Sequence, residues 1–307
     1  MTALAGLQAG IGPAFQHDSI LDFLRFGWHD LGPVLHRDAA NGFLQAVLAR
    51  RAFGPDMFLS ETAFDAQPVA TGLVDLVRQR SLLDDLPALT VLVDQNPLIC
   101  EALAALLGPG WKVLSRYVVC GVPQSWMPAW LMRRIAGAPA NSPGLFVRPE
   151  WRDVAYFYDI DFHQDLIDHP HRMSDFITLS VNLHDVGPDC APTQVLPGSH
   201  SLGADVFPHH LVRCEAGDWI YSDRRGQRVR APLEVLTGVA GSAAMWHACM
   251  LQRSRPVTAA TPRICLRYLI ARGDAAITGL DLVNASLRGP ASHATLLRPA
   301  GATGEVR

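Results

Sequence analysis

The stretch SAAMWHACMLQRSRPVTAATPRICLRYLIAR, Ser242 to Arg272, decides the architecture. An apolar, strand-like run carries a histidine, His247, and a Pro- and Thr-containing connection, RPVTAATP, follows. The next run, TPRICLRYLIAR, alternates as a strand and sets Arg263, Cys265 and Arg267 on one face. The same grammar reaches back to Gly110 through KVLSRYVVC, DVAYFYDI, FITLSVNLH, TQVLP and DWIYS. Gly, Pro and Asp separate these runs, and only MPAWLMRRIAG has a helical pattern. Parallel strands need crossover connections, usually helical, so short strands without them predict an antiparallel sandwich or barrel.

The first hundred or so residues read as helix. In DSILDFLRFGW, Asp18 is a candidate cap, and Ile20, Leu21, Leu24 and Trp28 share a face. RDAANGFLQAVLARR repeats the pattern through Phe43, Leu44, Val47 and Leu48, and TGLVDLVRQRSLL follows. NPLICEALAALLG has Asn96 as cap, Pro97 at the first helical position and Gly108 as stop. The expected organisation is one domain with a mainly helical part over 1–109, a β core over 110–272 and an extension over 273–307.

Composition narrows the class of protein. With 26 basic and 29 acidic residues among 307 there is no basic stripe, so nucleic acid and anionic membrane surfaces are not expected partners. No apolar run approaches the roughly 18 residues of a membrane span. The six cysteines are scattered without a CxxC pair, and the N-terminus lacks the charged start and apolar stretch of a secretion signal. A cytoplasmic protein with reduced thiols is the expectation. Oligomeric state is open, a homo-oligomer included.

Chemistry concentrates in DFHQDLIDHP. On an extended strand His163 and Asp165 point the same way, presenting an imidazole and a carboxylate together, as a divalent metal requires. A lone HxD is more often solvent-facing than metal-binding. By itself His247 reads as a satisfied core histidine, and Arg263 reads equally as half of a structural ion pair. Thr178, Ser180 and Asn182 form the polar face of FITLSVNLH, whose default contact is solvent. His169 and His171 lie in a Pro-containing loop, His209 and His210 read as surface residues, and His200 as structural.

Taken in order, HQD, VLPGSH, WHACMLQRS and PRICLRYL resemble the phytanoyl-CoA dioxygenase (PhyH) family of Fe(II)/2-oxoglutarate-dependent oxygenases over about residues 110–272. The resemblance implies a double-stranded β-helix (jelly-roll, cupin-like) core, mainly β with flanking α-helices and an N-terminal helical region. It implies Fe(II) on His163 and Asp165, 2-oxoglutarate held by Arg263 with Ser254 and Thr178 nearby, and O2 and a small, possibly biosynthetic, metabolite as the other reactants. A carboxylate at Asp165 argues against the related halogenases, which vacate that position.

The third ligand is where the pattern divides. In the family, the distal histidine is followed five residues on by Asn, seven on by Ser or Thr, and eleven on by the cosubstrate arginine. Forward from His247 these positions are Gln252, Ser254 and Thr258, with the arginine delayed to Arg263. Backward from Arg263, the eleventh position is Gln252. A longer loop adds little closure entropy, about 0.6 kcal/mol per doubling. An amide oxygen is a poorer donor to Fe(II) than a neutral imidazole. His247 is therefore the favoured third ligand and Gln252 the alternative, with Arg267 and Arg255 as substitutes should a stretched loop misplace Arg263. The rival functions are a degenerate oxygenase kept as a binding or partner subunit, and chemistry without iron on the same barrel.

Overall fold

The computed structural model describes residues 15–67, 80–169, 171–275 and 277–293. Fourteen strands lie within them: β1 (Trp28–Pro33), β2 (Lys112–Gly121), β3 (Ala140–Asn141), β4 (Ala155–Phe157), β5 (Asp159–His163), β6 (Phe176–Asn182) and β7 (Gln194–Val195). The rest are β8 (His210–Arg213), β9 (Trp219–Ser222), β10 (Arg228–Ala231), β11 (Glu234–Val235), β12 (Ser242–His247), β13 (Gln252–Ser254) and β14 (Arg263–Ala271). They form a six-stranded sheet in the order β1-β12-β6-β14-β2-β4 and a five-stranded sheet in the order β11-β7-β13-β5-β3. A three-stranded sheet, β10-β9-β8, completes them. Mainly β with flanking helices, this is the jelly roll expected.

All ladders are antiparallel except β2 with β4, which run parallel across Val119 and Ala155. The chain between those two strands carries the helix Ala129–Ile135, so this pair has the long connection that parallel neighbours need.

The six-stranded sheet has two unlike faces. Ile177, Leu179 and Val181 of β6, Met245 of β12 and Leu266, Tyr268 and Ile270 of β14 pack with Phe23, Phe43, Val47, Leu103 and Leu106 from the helices. Burial of that face welds the N-terminal helices to the barrel. The opposite face carries Thr178, Ser180, Trp246, Cys265 and Arg267, which turn toward the five-stranded sheet. The polar row of FITLSVNLH thus faces the barrel interior, not solvent: Thr178 is fully buried.

The N-terminal part departs from the helical expectation in one respect. The first helix runs Phe15–Arg25, so Asp18 lies inside it, and Trp28 begins β1, an edge strand on β12. Gly27, at φ +77°, makes that turn from helix to strand. Asn96 caps the helix Pro97–Leu107, its side chain accepting from Ile99 N, and Gly108 ends it as expected. Most of TGLVDLVRQRSLL lies outside the described residues, as does the end of the C-terminal extension. The described part of that extension holds a helix, Gly279–Ala285, with Thr278 and Asp281 as a capping box. Among the described residues no single helix is long and apolar enough to cross a membrane.

Gly27 is a sensitive joint. Its carbonyl accepts from His247 N at 2.9 Å, and a Cβ there would lie 2.3 Å from His200 Nδ1. Left-handed backbone and overpacking each carry penalties of about 1–3 kcal/mol. Gly27→Ala should lower stability by roughly 2–4 kcal/mol, read as a shifted urea midpoint.

Candidate functional site

The site begins at the end of β5, where His163 is followed by a short 3-10 turn, Asp165–Asp168. Gln164, between the two, is buried and spends its amide on the scaffold. Its Nε2 donates to Gly203 O (2.8 Å) and Cys249 O (2.9 Å), and its Oε1 accepts from Asp205 N (3.0 Å). That pins the turn and aims both flanking side chains inward.

The sheets then decide which residues meet them. Residues directly opposite in an antiparallel ladder point to the same face. Across β12 and β6, Trp246 stands opposite Thr178 and His247 opposite Ile177. Trp246 therefore belongs to the polar interior row, and its Nε1 donates to Asp165 Oδ2 at 2.8 Å. His247 belongs to the other face and is not brought to His163 and Asp165. Its Nε2 donates to Asn284 Oδ1 at 3.1 Å and its Nδ1 accepts from Cys249 N at 3.1 Å. Asn284 sits on the C-terminal helix and bonds Ser174 through both ends of its amide. With both ring nitrogens used, His247 is a strut between barrel and extension, and the expectation of a third ligand there is corrected by strand parity. Burial pushes its pKa down to about 4, and burial beside His247 pushes that of His200 to about 3.

The side chain brought to His163 and Asp165 is Gln252. It lies opposite His163 in the β13–β5 ladder, and its Nε2 donates to His163 Nε2 (2.6 Å) and Asp165 Oδ1 (3.1 Å). Counted from Gln252, Arg263 stands at the eleven-residue interval, so the connection is not stretched. The connection lies mostly at the surface but is tethered: Val257 is buried and accepts from Gln124 N at 2.9 Å, and Thr258 N donates to Asp189 O at 3.0 Å.

Asp165, 1% exposed, is surrounded by donors. Oδ1 receives Gln252 and the Arg267 guanidinium, and Oδ2 receives Trp246 and the Thr178 hydroxyl. Burial alone would push this carboxyl up, but Arg267, His163 and the two Oδ2 donors outweigh it, holding Asp165 below the usual carboxylate range. The Thr178 hydroxyl is thus engaged by Asp165. His163 Nδ1–H donates to Asp161 O at 2.8 Å, leaving the Nε2 lone pair facing inward, and burial lowers its pKa.

Between the sheets, beside this cluster, lies a small cavity bounded by Val119, Phe157, Thr193, Ser254, Cys265 and both arginines, Arg263 and Arg267. Arg263 is 4% exposed. Its Nη1 donates to Thr193 Oγ1 at 3.1 Å, and its Nε is buried without a hydrogen-bond partner among the described residues. Gly121 stands opposite Arg263 in the β14–β2 ladder, and a Cβ there would sit 3.2 Å from Arg263 Cβ. The substitutes for Arg263 are engaged elsewhere: Arg255 pairs with Asp159 at the surface (3.3 Å) and Arg267 with Asp165. His169 is half-buried edge-on to Phe176 (5.4 Å), His171 is exposed, and His209 is half-buried against Tyr221 (5.7 Å) rather than a surface residue.

Sequence reasoning missed Trp246, Gln164, Thr193 and Gly121. The first was findable from register: if Thr178 and Ser180 face inward, the strand beside them must turn Trp246 inward and His247 outward.

Does the cluster fit a metal? Among the described residues no group of three or more His, Cys, Asp and Glu converges as a metal site. The fit is to two strong donors, His163 Nε2 and an oxygen of Asp165. Gln252 forms the third corner, and a half-turn of its amide presents oxygen in place of nitrogen at the same point.

Comparison with known proteins agrees with this architecture. The family described as Phytanoyl-CoA dioxygenase (PhyH), whose enzymes use Fe(II) and 2-oxoglutarate, matches residues 132–265. No curated protein matches the chain. Among solved structures, the epimerase SnoN in complex with Fe3+, alpha ketoglutarate and nogalamycin RO is 14% identical, with 96% of this chain and 94% of that one covered at a TM-score of 0.52. EctD from S. alaskensis with bound Fe is 12% identical, covering 86% and 78% at a TM-score of 0.50. At these identities the likeness is one of fold.

His247 and His200 give the protein an acid-sensitive interior. Both have depressed pKa values in the fold, so below the ordinary histidine value of 6.5 the unfolded chain binds more protons. Stability should be full above about pH 6.5 and fall progressively toward pH 4, seen as a falling Tm. His247→Gln should cost about 1–3 kcal/mol of stability, from the buried hydrogen bonds lost. It should leave Mn(II) affinity unchanged, whereas a third ligand could not be replaced without loss.

Proposed function

With the core of this chain a phytanoyl-CoA dioxygenase (PhyH)-like one, we propose that it is a 2-oxoglutarate-dependent oxygenase of a small metabolite, with Arg263 as the cosubstrate anchor. The observation that carries this reading is the state of Arg263: a buried guanidinium at a cavity wall, with an unpartnered Nε and no carboxylate paired to it among the described residues. Leaving such a group unpaired is expensive, and a carboxylate fits its planar fork. Ser254 and Thr193 supply hydroxyls beside it, and Gly121 leaves room for its side chain.

Fe(II), held by His163 and Asp165 with the Gln252 amide turned to present its oxygen, would supply the O2-dependent oxidation once Arg267 had given up Asp165. This chain's residues do the rest. The Asp161 carbonyl fixes the tautomer of His163, so that its Nε2 stays a donor. Trp246 and Thr178 orient Asp165. Val119, Phe157 and Cys265 form the apolar wall that limits water near the anchored acid.

One observation favours a second reading, a protein that binds an acid in this cavity without oxidising anything: an amide, Gln252, rather than a second imidazole meets His163 and Asp165. The same titrations separate the two. Calorimetry with 2-oxoglutarate should register binding, and Arg263→Met should weaken it by roughly 100-fold or more, the loss expected for an unpaired buried partner. Succinate release on supplying Fe(II), ascorbate and O2 supports the oxygenase, whereas binding without succinate supports the second reading. No binding to wild type sinks both.

A further inference from the structure

The residue that the family resemblance leaves without a role is Arg267. It lies four residues beyond the cosubstrate arginine, on the same inward face of β14 and opposite Ser180 of β6. Its guanidinium is mostly buried, stands over the Phe157 ring at 5.8 Å and forms an ion pair with Asp165, the carboxylate of the HxD pair. The paired oxygen is Oδ1, the one that also receives Gln252.

We propose that Arg267 is the resident cation of this site: it supplies the positive charge that a metal would supply, and a divalent metal reaches Asp165 only by displacing it. Three features of the cluster support this. Each acceptor turned toward the presumed metal position is already met by a donor, since the Gln252 amide bonds His163 Nε2 and Asp165 Oδ1 together. Asp165 has four donors in all, one of them cationic, so its buried charge is compensated with nothing further bound. A second cation beside Arg267 would meet a fixed like charge across a short, poorly screened distance. Gln252 and Arg267 also act together on Asp165. Glutamine at position 252 removes a strong metal donor and adds an amide N–H for the two acceptors, and Arg267 adds the charge.

The inference does not rest on the 2-oxoglutarate reading, because it concerns metal affinity alone and is measured without cosubstrate. Mn(II) binding is followed by electron paramagnetic resonance of the free ion, and Tm is measured in EDTA and in Mn(II), for wild type, Arg267→Met, Gln252→His and the double variant. Wild type should bind Mn(II) weakly and melt at the same temperature in EDTA and in equimolar Mn(II). Arg267→Met should melt roughly 5–15 °C lower in EDTA, because Asp165 is left buried and unpaired, and recover much of that in Mn(II). Its Mn(II) affinity should exceed the wild type's by roughly 10- to 100-fold, the range by which groups around a metal site tune it. The double variant should bind tightest, and Gln252→His alone should gain less than the double. Should Arg267→Met not fold, the wild-type arm and Gln252→His still decide. Wild type that is stabilised by equimolar Mn(II), or Gln252→His that binds as tightly as a complete three-ligand site with Arg267 in place, overturns the inference. So does Arg267→Met with wild-type affinity.

Discussion

A carboxylate buried as deeply as Asp165 cannot be left alone. In a medium of low polarizability its charge is either neutralised by protonation or matched by donors and cations. Here it is matched, by an indole, a hydroxyl, an amide and a guanidinium from four strands of both facing sheets. β6 brings Thr178, β12 Trp246, β13 Gln252 and β14 Arg267. Those strands are joined only through the jelly-roll topology, so the network and the barrel require each other. The donors converge because the sheets are in register, and Asp165 in turn makes it tolerable for so many polar groups to lie between two sheets.

Sheet register also explains where the sequence was legible and where it misled. The alternation of β14 placed Arg263 and Arg267 on one face, and the HxD spacing placed His163 and Asp165 together; both readings follow from a period of two. His247 was misread because β12 is buried on both sides: its residues are apolar or small throughout, so no polar row marks the inward face. A histidine in such a strand gives no sign of which way it points. The information lay one strand away, in Thr178 and Ser180 of β6, and register carries it across to Trp246. Chemical preference for imidazole over amide was a sound principle applied to a side chain on the wrong face.

The fold was more legible than the site. Helical periodicity, the Asn96 cap and the Gly108 stop, and strand runs without crossover helices suffice for an antiparallel sandwich or barrel with helices before it; the jelly roll followed from the family resemblance. β1 was not legible, because Trp28 continues the apolar stripe of the first helix and only Gly27, whose backbone reverses there, separates the two. The helix Gly279–Ala285 sits in a stretch rich in small residues, where propensity is weak, and its footing on the barrel through Asn284 and His247 is a tertiary fact.

A glutamine as the third side chain on the His163–Asp165 pair invites reading as a loss. The charges argue for a replacement. A three-ligand iron site places two positive charges against its carboxylate and the incoming acid, and its protein ligands are pure acceptors. Remove the metal from such a site and three lone-pair donors face one another across a desolvated gap, an arrangement that repels. Gln252 converts one of the three into a donor that satisfies the other two, and Arg267 supplies one positive charge, enough for Asp165. Arg263 is then left as the uncompensated charge, facing the cavity. On the proposed reading the interior is at rest without a metal and short of one anion, which the buried Arg263 is placed to receive.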